Sequence, residues 1–222
     1  MSRNTTQATV NRQMEKDIRR VKNFLLDMDG TIYLGSRLFP GTLPLLEKLK
    51  KTGRRALFLT NNSSMSPADY AAKLCRMGIQ AEPGDVFTSG DAAAAYLKKH
   101  LPGGKRVFLL GTPSLEKQMR DEGFDIINGN PETEPDLVLL GFDKTLTYEK
   151  IMLACRHISR GAPFYATHPD LVCPVEDGFI PDAGAMIKMF EAAAGVSPTV
   201  IGKPRKAMAE AVFERCGFLP EQ

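Results

Sequence analysis

The sequence offers little of the chemistry that builds a histidine- or cysteine-based metal site. Its 222 residues include only three histidines and four cysteines. The cysteines lie far apart without a Cys-x-x-Cys pair, at Cys75, Cys155, Cys173 and Cys216. This spacing disfavours zinc coordination and a disulfide framework, and it predicts reduced, buried thiols.

Long apolar runs and a strong excess of one charge are also missing. The first twenty residues hold no apolar core of signal-peptide length, and no later stretch reaches the length of a membrane span. A formal net charge of +3 without a dense Lys/Arg run argues against a nucleic-acid partner. The composition, 43% hydrophobic and 25% charged, is that of an ordinary globular chain with room for one large or two modest domains. We expect a cytoplasmic protein with neither a membrane nor a nucleic-acid partner.

What the chain does contain is an alternation of strand-like and helix-like segments, which follows a polar lead-in over about residues 1–20. The predicted strands are Asn23–Leu26, Arg55–Leu59, Arg106–Leu110, Asp136–Leu140, Pro163–Ala166 and Pro198–Ile201. The predicted helices are Leu43–Lys51, Pro67–Met77, Asp91–Lys99, Pro113–Asp121, Tyr148–Ser159, Gly184–Ala193 and Arg205–Cys216. This alternation predicts an α/β fold with a mostly parallel sheet and helices on both faces.

Two of these segments resemble each other. The runs at 107–111 and 137–141 are both apolar, end in glycine and precede a helix signal. They are consistent with a duplicated βα unit, and equally with the common pattern of any α/β domain.

The first strand ends in an acidic pair. Asp27 and Asp29 follow the apolar residues up to Leu26 and are themselves followed by Gly30 and Thr31. Side chains alternate along a strand, so both carboxylates should project on the same side at its carboxyl end, where open α/β sheets bind ligands. Close carboxylates repel, and a cation or a proton relieves that repulsion. The alternative reading is a simple acidic Asp-Gly turn.

Polar residues also follow later strands. Thr60, Asn61 and Asn62 end the second strand, where a hydroxyl and backbone N–H groups suit phosphate oxygens. The alternative is an Asn/Ser-rich turn before the next helix. Lys203 follows another strand and is suited to neutralise charge on a transferring phosphoryl group. Its alternative is an ordinary surface lysine.

A further turn, which contains His168 and Asp170, follows the strand that ends at Ala166. Its simplest interpretation is a turn histidine without a ligand role. With so few histidines, a His-rich metal site is not expected.

Together, Asp27-Met28-Asp29-Gly30-Thr31, Thr60-Asn61-Asn62 and Gly202-Lys203-Pro204 resemble the first three motifs of the haloacid-dehalogenase-like phosphohydrolases. The chain is most similar to class IIA, the branch of NagD-type and 4-nitrophenyl-phosphate phosphatases. That branch carries a large α/β cap between its second and third motifs, and about 140 residues separate those motifs here. The segment Ile32–Gly41 also resembles the flap hairpin that follows the first motif in this family.

The resemblance implies a Rossmann-like parallel-sheet core with the cap inserted into it. We expect the core to comprise residues 21–100 and 183–222, and the cap residues 101–182. The lead-in over residues 1–20 is expected to be mobile. Pairing of two copies through their caps is consistent with the resemblance.

The resemblance also implies roles for individual residues. Asp27 would be the nucleophile that forms an aspartyl-phosphate, and Asp29 the general acid and then base. The Asp27 carboxylate and the backbone carbonyl of Asp29 would bind Mg²⁺. Thr60 and the Asn61 backbone would hold phosphoryl oxygens, and Lys203 would stabilise charge and orient Asp27.

Four further residues are assigned less directly by the resemblance. Gly30 would allow the tight turn that brings backbone to the phosphate. Asn62 belongs to the second motif and is placed with the phosphate-binding residues. His168 and Asp170 lie where the cap would touch the substrate.

The family's fourth motif, a strand followed by further aspartates, is not present before Gln222. We therefore expect the chain to be either a truncated product or a naturally short relative. One of the missing carboxylates is a magnesium ligand in the family, and metal stabilisation supplies several kcal/mol of catalysis. We expect this 222-residue chain to be weakly active or inactive.

The leading hypothesis is a Mg²⁺-dependent phosphatase for small phosphate monoesters such as sugar phosphates or 4-nitrophenyl phosphate. The short spacing between Asp29 and Thr60 argues against the phosphomutase relatives, which carry a small helical cap there. The alternatives are a non-catalytic phosphate-binding or interaction module, and an inactive fragment of such a phosphatase. The identity of the phosphorylated metabolite stays open.

Overall fold

Two separate parallel sheets form the framework of the molecule. The computed structural model describes residue 18 and residues 20–128 and 133–218. Within these ranges the first sheet has the strand order β1-β4-β5, and the second has the order β12-β9-β8-β6-β7. The first sheet consists of β1 (Asn23–Asp27), β4 (Arg55–Thr60) and β5 (Val86–Thr88). The second consists of β6 (Arg106–Leu110), β7 (Asp125–Ile126), β8 (Leu137–Leu140), β9 (Phe164–Ala166) and β12 (Thr199–Val200).

The burial of these strands follows from their position in the sheets. All four residues of β8 are buried, because β8 has a strand on each side and helices on both faces. In contrast, β1 lies at one edge of the first sheet among the described residues, and its Leu25 is 39% exposed. The two similar sequence segments form β6 and β8, which pair directly in parallel register from Val107↔Leu137 to Leu110↔Leu140.

Within the described ranges, two antiparallel hairpins lie outside the parallel sheets. The first joins β2 (Tyr33–Leu34) to β3 (Arg37–Leu38), where the flap was expected. The second joins β10 (Val172–Val175) to β11 (Gly178–Pro181). Their tips contact each other, since the Glu176 carboxylate accepts hydrogen bonds from the Ser36 backbone N–H (2.9 Å) and hydroxyl (2.7 Å).

Five of the seven helices named below begin at a capping side chain, whereas the helices that follow Gly41 and Arg205 have no side-chain cap. Ser66 accepts from the backbone N–H of Asp69, whose carboxylate accepts in return from the Ser66 N–H, and Pro67 occupies the first helical position. The helices are α1 (Thr42–Lys51), α2 (Pro67–Arg76), α3 (Ser89–His100), α4 (Pro113–Asp121), α5 (Tyr148–Ser159), α6 (Ala183–Ala194) and α7 (Lys206–Cys216). Among the described residues, no helix has both the length and the apolar content needed to cross a membrane.

The two sheets share one hydrophobic core. Helix α3 contributes Leu97 to a buried cluster that also contains Leu57 of β4, Leu109 of β6 and Val212 of α7. On the opposite face of the larger sheet, α5 and α6 pack with β6, β8 and β9. The shared core holds the carboxyl ends of the two sheets at a fixed separation.

The predicted α/β fold class is confirmed, and the predicted strands and helices agree with the observed bounds within two residues. The short strands β5 and β7 and the hairpin β10–β11 were not predicted. These strands have two to four residues each, too few for a clear hydrophobic period.

The predicted boundary of the cap at residue 182 differs from the observed packing. Helix α6 and strand β12 were expected in the core, but Ile187 and Phe190 pack against the larger sheet and β12 pairs with β9. The structure therefore attaches this segment to the second sheet as far as Val200. The predicted lead-in over residues 1–20 lies almost wholly outside the described residues.

The cysteine prediction was correct in part. The four thiols are free, as expected. Burial was expected of all of them, but Cys75 on α2 is exposed and only Cys173 is fully buried. Cys75 lies on the solvent-facing side of an amphipathic helix, which the residue type alone did not indicate.

Candidate active site

A cavity of about 330 Å³ lies where the carboxyl ends of the two sheets face each other. Parallel strands of open sheets present ligand sites at this end. Residues from β1, β4, β10 and the turns after β9 and β12 surround the cavity. They are Asp27, Asp29, Thr60, Asn61, Asn62, Asp170, Val172, Cys173, Pro174, Asp182, Lys203 and Pro204. Of the predicted site residues, the structure brings together all except Gly30 and His168 in this lining.

Asp27 and Lys203 form an ion pair in the cavity. The Lys203 ammonium donates to Oδ1 of Asp27 and, at 3.4 Å, to the carbonyl oxygen of Leu59. The second carboxylate oxygen of Asp27 accepts from the Thr31 hydroxyl at 3.0 Å. Both oxygens are thus held by donors, which fixes the orientation of the carboxylate.

A close backbone contact brings Lys203 to this position. The Gly202 N–H donates to the carbonyl oxygen of Thr167 at 2.7 Å, where the chain leaves β12 beside the end of β9. A Cβ atom on Gly202 would lie 2.5 Å from that same carbonyl oxygen, closer than any side chain tolerates. Glycine is therefore required here by the approach of two backbones.

Asp29 lies in a more buried environment than Asp27. The chain turns sharply at Gly30, whose φ of +80° is readily available to glycine, and this turn directs Asp29 into the cavity. Burial raises the pKa of Asp29, the Lys73 ammonium opposes that rise, and the Asp27 carboxylate adds to it. Oδ2 of Asp29 is buried without a hydrogen-bond partner among the described residues. A carboxyl in this setting is suited to hold a proton and to donate it.

Two residues that sequence reasoning missed lie behind Asp29. The Lys73 ammonium sits 3.9 Å from the centroid of the Tyr33 ring, and burial lowers its pKa. Tyr33 is fully buried, and burial and the nearby Asp29 raise its pKa. In the sequence, Lys73 looks like an ordinary solvent-facing residue of an amphipathic helix. Its sequence context therefore gave no signal that it lies behind Asp29.

The second motif is a tightly bonded turn. The Thr60 hydroxyl accepts from the Asn62 N–H at 3.0 Å, and the Asn62 side-chain oxygen accepts from the N–H (3.0 Å) and hydroxyl (2.7 Å) of Ser64. The turn interpretation of this segment is therefore correct as local structure. It does not exclude a phosphate site, since Thr60, Asn61 and Asn62 all line the cavity.

The structure does not place His168 where a ligand would touch it. The ring is completely buried, with Nδ1 2.8 Å from the Thr167 hydroxyl and Nε2 2.8 Å from Oδ1 of Asp182. The expected contact between His168 and substrate is thus corrected to a structural link between the turn after β9 and the start of α6. Its neighbour Asp170 does line the cavity.

His168, Asp170 and Asp182 present ligand atoms within 4.8 Å of one another, a spacing that a metal ion can bridge. Both ring nitrogens of His168 are already engaged, however, and Oδ1 of Asp182 also accepts from the Ala183 N–H at 2.6 Å. These hydrogen bonds explain why the three side chains lie together, since they form the cap at the start of α6.

The hairpin β10–β11 supplies a wall of the cavity that the sequence analysis did not anticipate. Val172, Cys173 and Pro174 line the cavity, and burial raises the pKa of Cys173 to about 11, with smaller contributions from Asp29 and Asp182. At that pKa the thiol is neutral at physiological pH. A signal for this hairpin was available in Asp177-Gly178, a dipeptide typical of hairpin turns between two short apolar runs.

Similarity to known proteins agrees with this architecture. Residues 24–125 match the family of haloacid dehalogenase-like hydrolases. An acid sugar phosphatase from Staphylococcus aureus (strain MRSA252) is 35% identical over 201 residues, which span 90% of this chain and 76% of the relative.

Two solved structures are similar to this chain in fold as well as in sequence. The 4-nitrophenylphosphatase from Thermotoga maritima superposes with a TM-score of 0.85 and 43% identity, covering 92% of this chain and 77% of that one. A glycerol phosphate phosphatase from Mycobacterium tuberculosis in complex with magnesium has a TM-score of 0.83 and 32% identity, covering 90% and 60%.

The resemblance inferred from the three motifs is therefore confirmed over nine-tenths of the chain. The α/β framework, the strand-end placement of the motifs and the similarity to phosphatases of known structure all agree. The chain belongs to the haloacid dehalogenase-like hydrolases.

Proposed function

We propose that this chain is a Mg²⁺-dependent phosphatase that hydrolyses small phosphate monoesters through an aspartyl-phosphate on Asp27. The observation that carries the proposal is the contact between the Lys203 ammonium and the Asp27 carboxylate, with Asp29 on the same cavity. A nucleophilic carboxylate, a neighbouring carboxyl able to carry a proton and a cation for the phosphoryl charge are the three groups that this reaction needs.

The reaction divides between these groups as follows. An oxygen of Asp27 attacks phosphorus, and the bond to the leaving oxygen breaks as Asp29 gives that oxygen its proton. Asp29 then takes a proton from water, whose oxygen attacks the phosphorus and releases phosphate and the Asp27 carboxylate. Burial raises the pKa of Asp29 above the ordinary value of a carboxyl, which supports its part in giving a proton to the leaving oxygen and in taking one from water.

The residues present fit Mg²⁺. Hard cations prefer oxygen ligands, and the Asp27 carboxylate and the backbone carbonyl of Asp29 both offer oxygen at the cavity. We propose that the Asp27 carboxylate and the backbone carbonyl of Asp29 hold the ion, which leaves the Asp29 carboxyl free to carry its proton. When bound, it would neutralise negative charge on the phosphoryl group and on Asp27.

The cavity and the relatives together favour a small, hydroxyl-bearing leaving group. The wall of the cavity combines the carboxylates of Asp170 and Asp182 with the apolar side chains of Val172 and Pro174. Carboxylates accept hydrogen bonds from hydroxyl groups, and one relative is named as an acid sugar phosphatase and another as a glycerol phosphate phosphatase. We therefore propose sugar-phosphate-like substrates and a cytoplasmic location. We also propose that two copies pair through their caps, which light scattering would test.

The test is hydrolysis of 4-nitrophenyl phosphate with and without Mg²⁺ by the wild type, by Asp27→Asn and by Asp121→Asn. Asp121 is an exposed carboxylate on α4, so its amide variant controls for the charge change alone. We expect turnover that needs Mg²⁺, disappears in Asp27→Asn and persists in Asp121→Asn. A panel of sugar phosphates, glycerol phosphate and nucleotides then ranks leaving groups by kcat/KM.

Reduced activity of this chain stays a prediction. The same assay measures it, since a kcat equal to that of the relatives would contradict it. Binding of phosphorylated ligands without turnover in the wild type would favour the non-catalytic binding module instead.

A further inference from the structure

We infer that the side chain of Asn61 is a positioning residue that clamps the backbone of Lys203 and so aims its ammonium at Asp27. This inference rests on the proposed function for its kinetic consequence, but its structural consequence stands without it. The sequence resemblance gave Asn61 only a backbone role in phosphate binding.

The contacts of Asn61 use the whole of its amide. Its Oδ1 accepts from the Lys203 N–H at 2.8 Å, and its Nδ2 donates to the Lys203 carbonyl oxygen at 3.0 Å and to Oδ2 of Asp170 at 2.9 Å. A primary amide has two N–H donors, and both are occupied. The side chain therefore has no donor left for a phosphate oxygen, although Asn61 lines the cavity.

The same contacts fix which way the amide points. If its oxygen and nitrogen exchanged places, the NH₂ would face the Lys203 N–H, and the oxygen would face the Lys203 carbonyl and the Asp170 carboxylate. Each of these juxtapositions is repulsive, so only the observed orientation satisfies all three groups. The clamp is thus specified by its partners.

Asn61 is itself firmly anchored. It is only 7% exposed, and its carbonyl oxygen accepts a hydrogen bond from the Ser89 hydroxyl at the start of α3. Together with the contact between Gly202 and Thr167, the clamp holds Lys203 from both sides of its backbone. A lysine side chain has many rotamers, so a fixed backbone origin limits the positions its ammonium can reach.

The chain offers a matched control in Asn128. Its Oδ1 accepts from the Leu109 N–H at 2.8 Å, and its Nδ2 donates to the Leu109 carbonyl at 2.6 Å. This is the same clamp on a strand of the larger sheet, and Asn128 is not among the residues that line the cavity. Asn128→Ala therefore removes the same chemistry without touching Lys203.

The kinetic test is a double-mutant cycle on the full chain with 4-nitrophenyl phosphate and Mg²⁺. We expect Asn61→Ala to lower kcat about 10- to 100-fold with a smaller change in KM, whereas Asn128→Ala leaves kcat unchanged. In a Lys203→Ala background, Asn61→Ala should change kcat by less than about twofold. An equal effect in both backgrounds, or a rise in KM alone, would overturn the inference.

The structural test does not depend on activity. The Lys203 amine is acetylated with acetic anhydride, and peptide mass spectrometry measures the rate. That rate reports how strongly the contact with Asp27 protects the amine. We expect faster acetylation of Lys203 in Asn61→Ala and in Asp27→Ala than in the wild type or Asn128→Ala. An unchanged rate in Asn61→Ala would contradict the clamp even if the wild type proved inactive.

Asn61→Asp guards against loss of folding. It keeps the shape and the acceptor for the Lys203 N–H, but places an oxygen against the Lys203 carbonyl and Asp170. We expect it to reproduce the kcat and acetylation changes of Asn61→Ala. Wild-type kcat and a wild-type acetylation rate in Asn61→Asp would refute the inference. An inactive wild type, together with faster acetylation in the variants, would refute only the proposed function.

Discussion

Lys203 contacts the carboxylate of Asp27 although 176 residues separate them in the sequence. The contact joins the ends of two strands that belong to different sheets, β1 and β12. It therefore depends on the shared core that fixes one sheet relative to the other.

Replacing Lys203 by Met removes the ammonium and keeps much of the side-chain volume. We expect kcat for 4-nitrophenyl phosphate to fall about 10²- to 10³-fold, the usual effect of removing one group that stabilises transition-state charge. The control is Lys206→Met, because Lys206 is an exposed lysine three residues away that pairs with Glu210. A Lys203→Met enzyme with wild-type kcat would remove Lys203 from the mechanism.

A methyl group at Gly202 should disturb both stability and activity. Its Cβ would lie 2.5 Å from the Thr167 carbonyl oxygen, and backbone atoms do not move aside easily. We expect Gly202→Ala to lower the free energy of unfolding by about 1–3 kcal/mol and to lower kcat. Gly41→Ala is the control, since nothing lies within 4 Å of a Cβ there and its φ is −83°. Urea unfolding compares the two variants, and equal stability would contradict the prediction.

His168→Ala should reduce stability rather than substrate affinity. The ring is buried between the Thr167 hydroxyl and Asp182, so its loss leaves buried polar groups without a partner at a cost of about 1–3 kcal/mol. We expect an unfolding midpoint at lower urea with KM little changed. His100, which lies exposed at the end of α3, provides the control variant His100→Ala. A large rise in KM without a loss of stability would restore the direct contact with substrate.

The contribution of Asp69 should depend on pH. Hydrogen bonds from Ser114 and Ser66 lower the pKa of Asp69, which joins the start of α2 to the start of α4. A lowered carboxyl pKa stabilises the folded state above the unfolded-state pKa, and that stabilisation is lost as the pH falls through the folded-state pKa.

We therefore expect Asp69→Ala to cost about 1 kcal/mol of unfolding free energy at neutral pH, the usual cost of losing helix-capping contacts. The difference from the wild type should shrink as the solution becomes acidic enough to protonate Asp69 in the wild type. Urea unfolding at neutral and at acidic pH measures both values. A difference that is the same at both pH values would show that the charge of Asp69 contributes nothing.

Much of the architecture was predictable because its signals are local. Ser66, Pro67 and Asp69 specify the start of α2 by capping chemistry, and the apolar runs of β6 and β8 are long enough to identify as buried strands. The three motifs stand at strand ends, and the strand-end rule placed Asp27, Asp29, Thr60 and Lys203 on one cavity. The catalytic roles given to these residues stay predictions for the assays above.

The remaining features could not be derived from local signals. Lys73 and Tyr33 reach Asp29 from α2 and from the first hairpin, and nothing near them in the sequence specifies that meeting. The family resemblance placed His168 near the substrate, but its ring is buried against Asp182, which lies fourteen residues further on. Such contacts depend on how helices and hairpins pack, which the spacing of one segment does not reveal.

Local signals in the sequence specify the α/β class, the bounds of most helices and strands, and the strand ends at which the polar residues stand. These follow from hydrophobic period, capping and turn chemistry, all of which act over a few residues. Three further relationships are established by tertiary packing. Strand β12 joins the larger sheet, hairpin β10–β11 forms a wall of the cavity, and the amide of Asn61 bonds the backbone of Lys203. These relationships join residues far apart in the chain, and burial and hydrogen-bond satisfaction across the shared core select them.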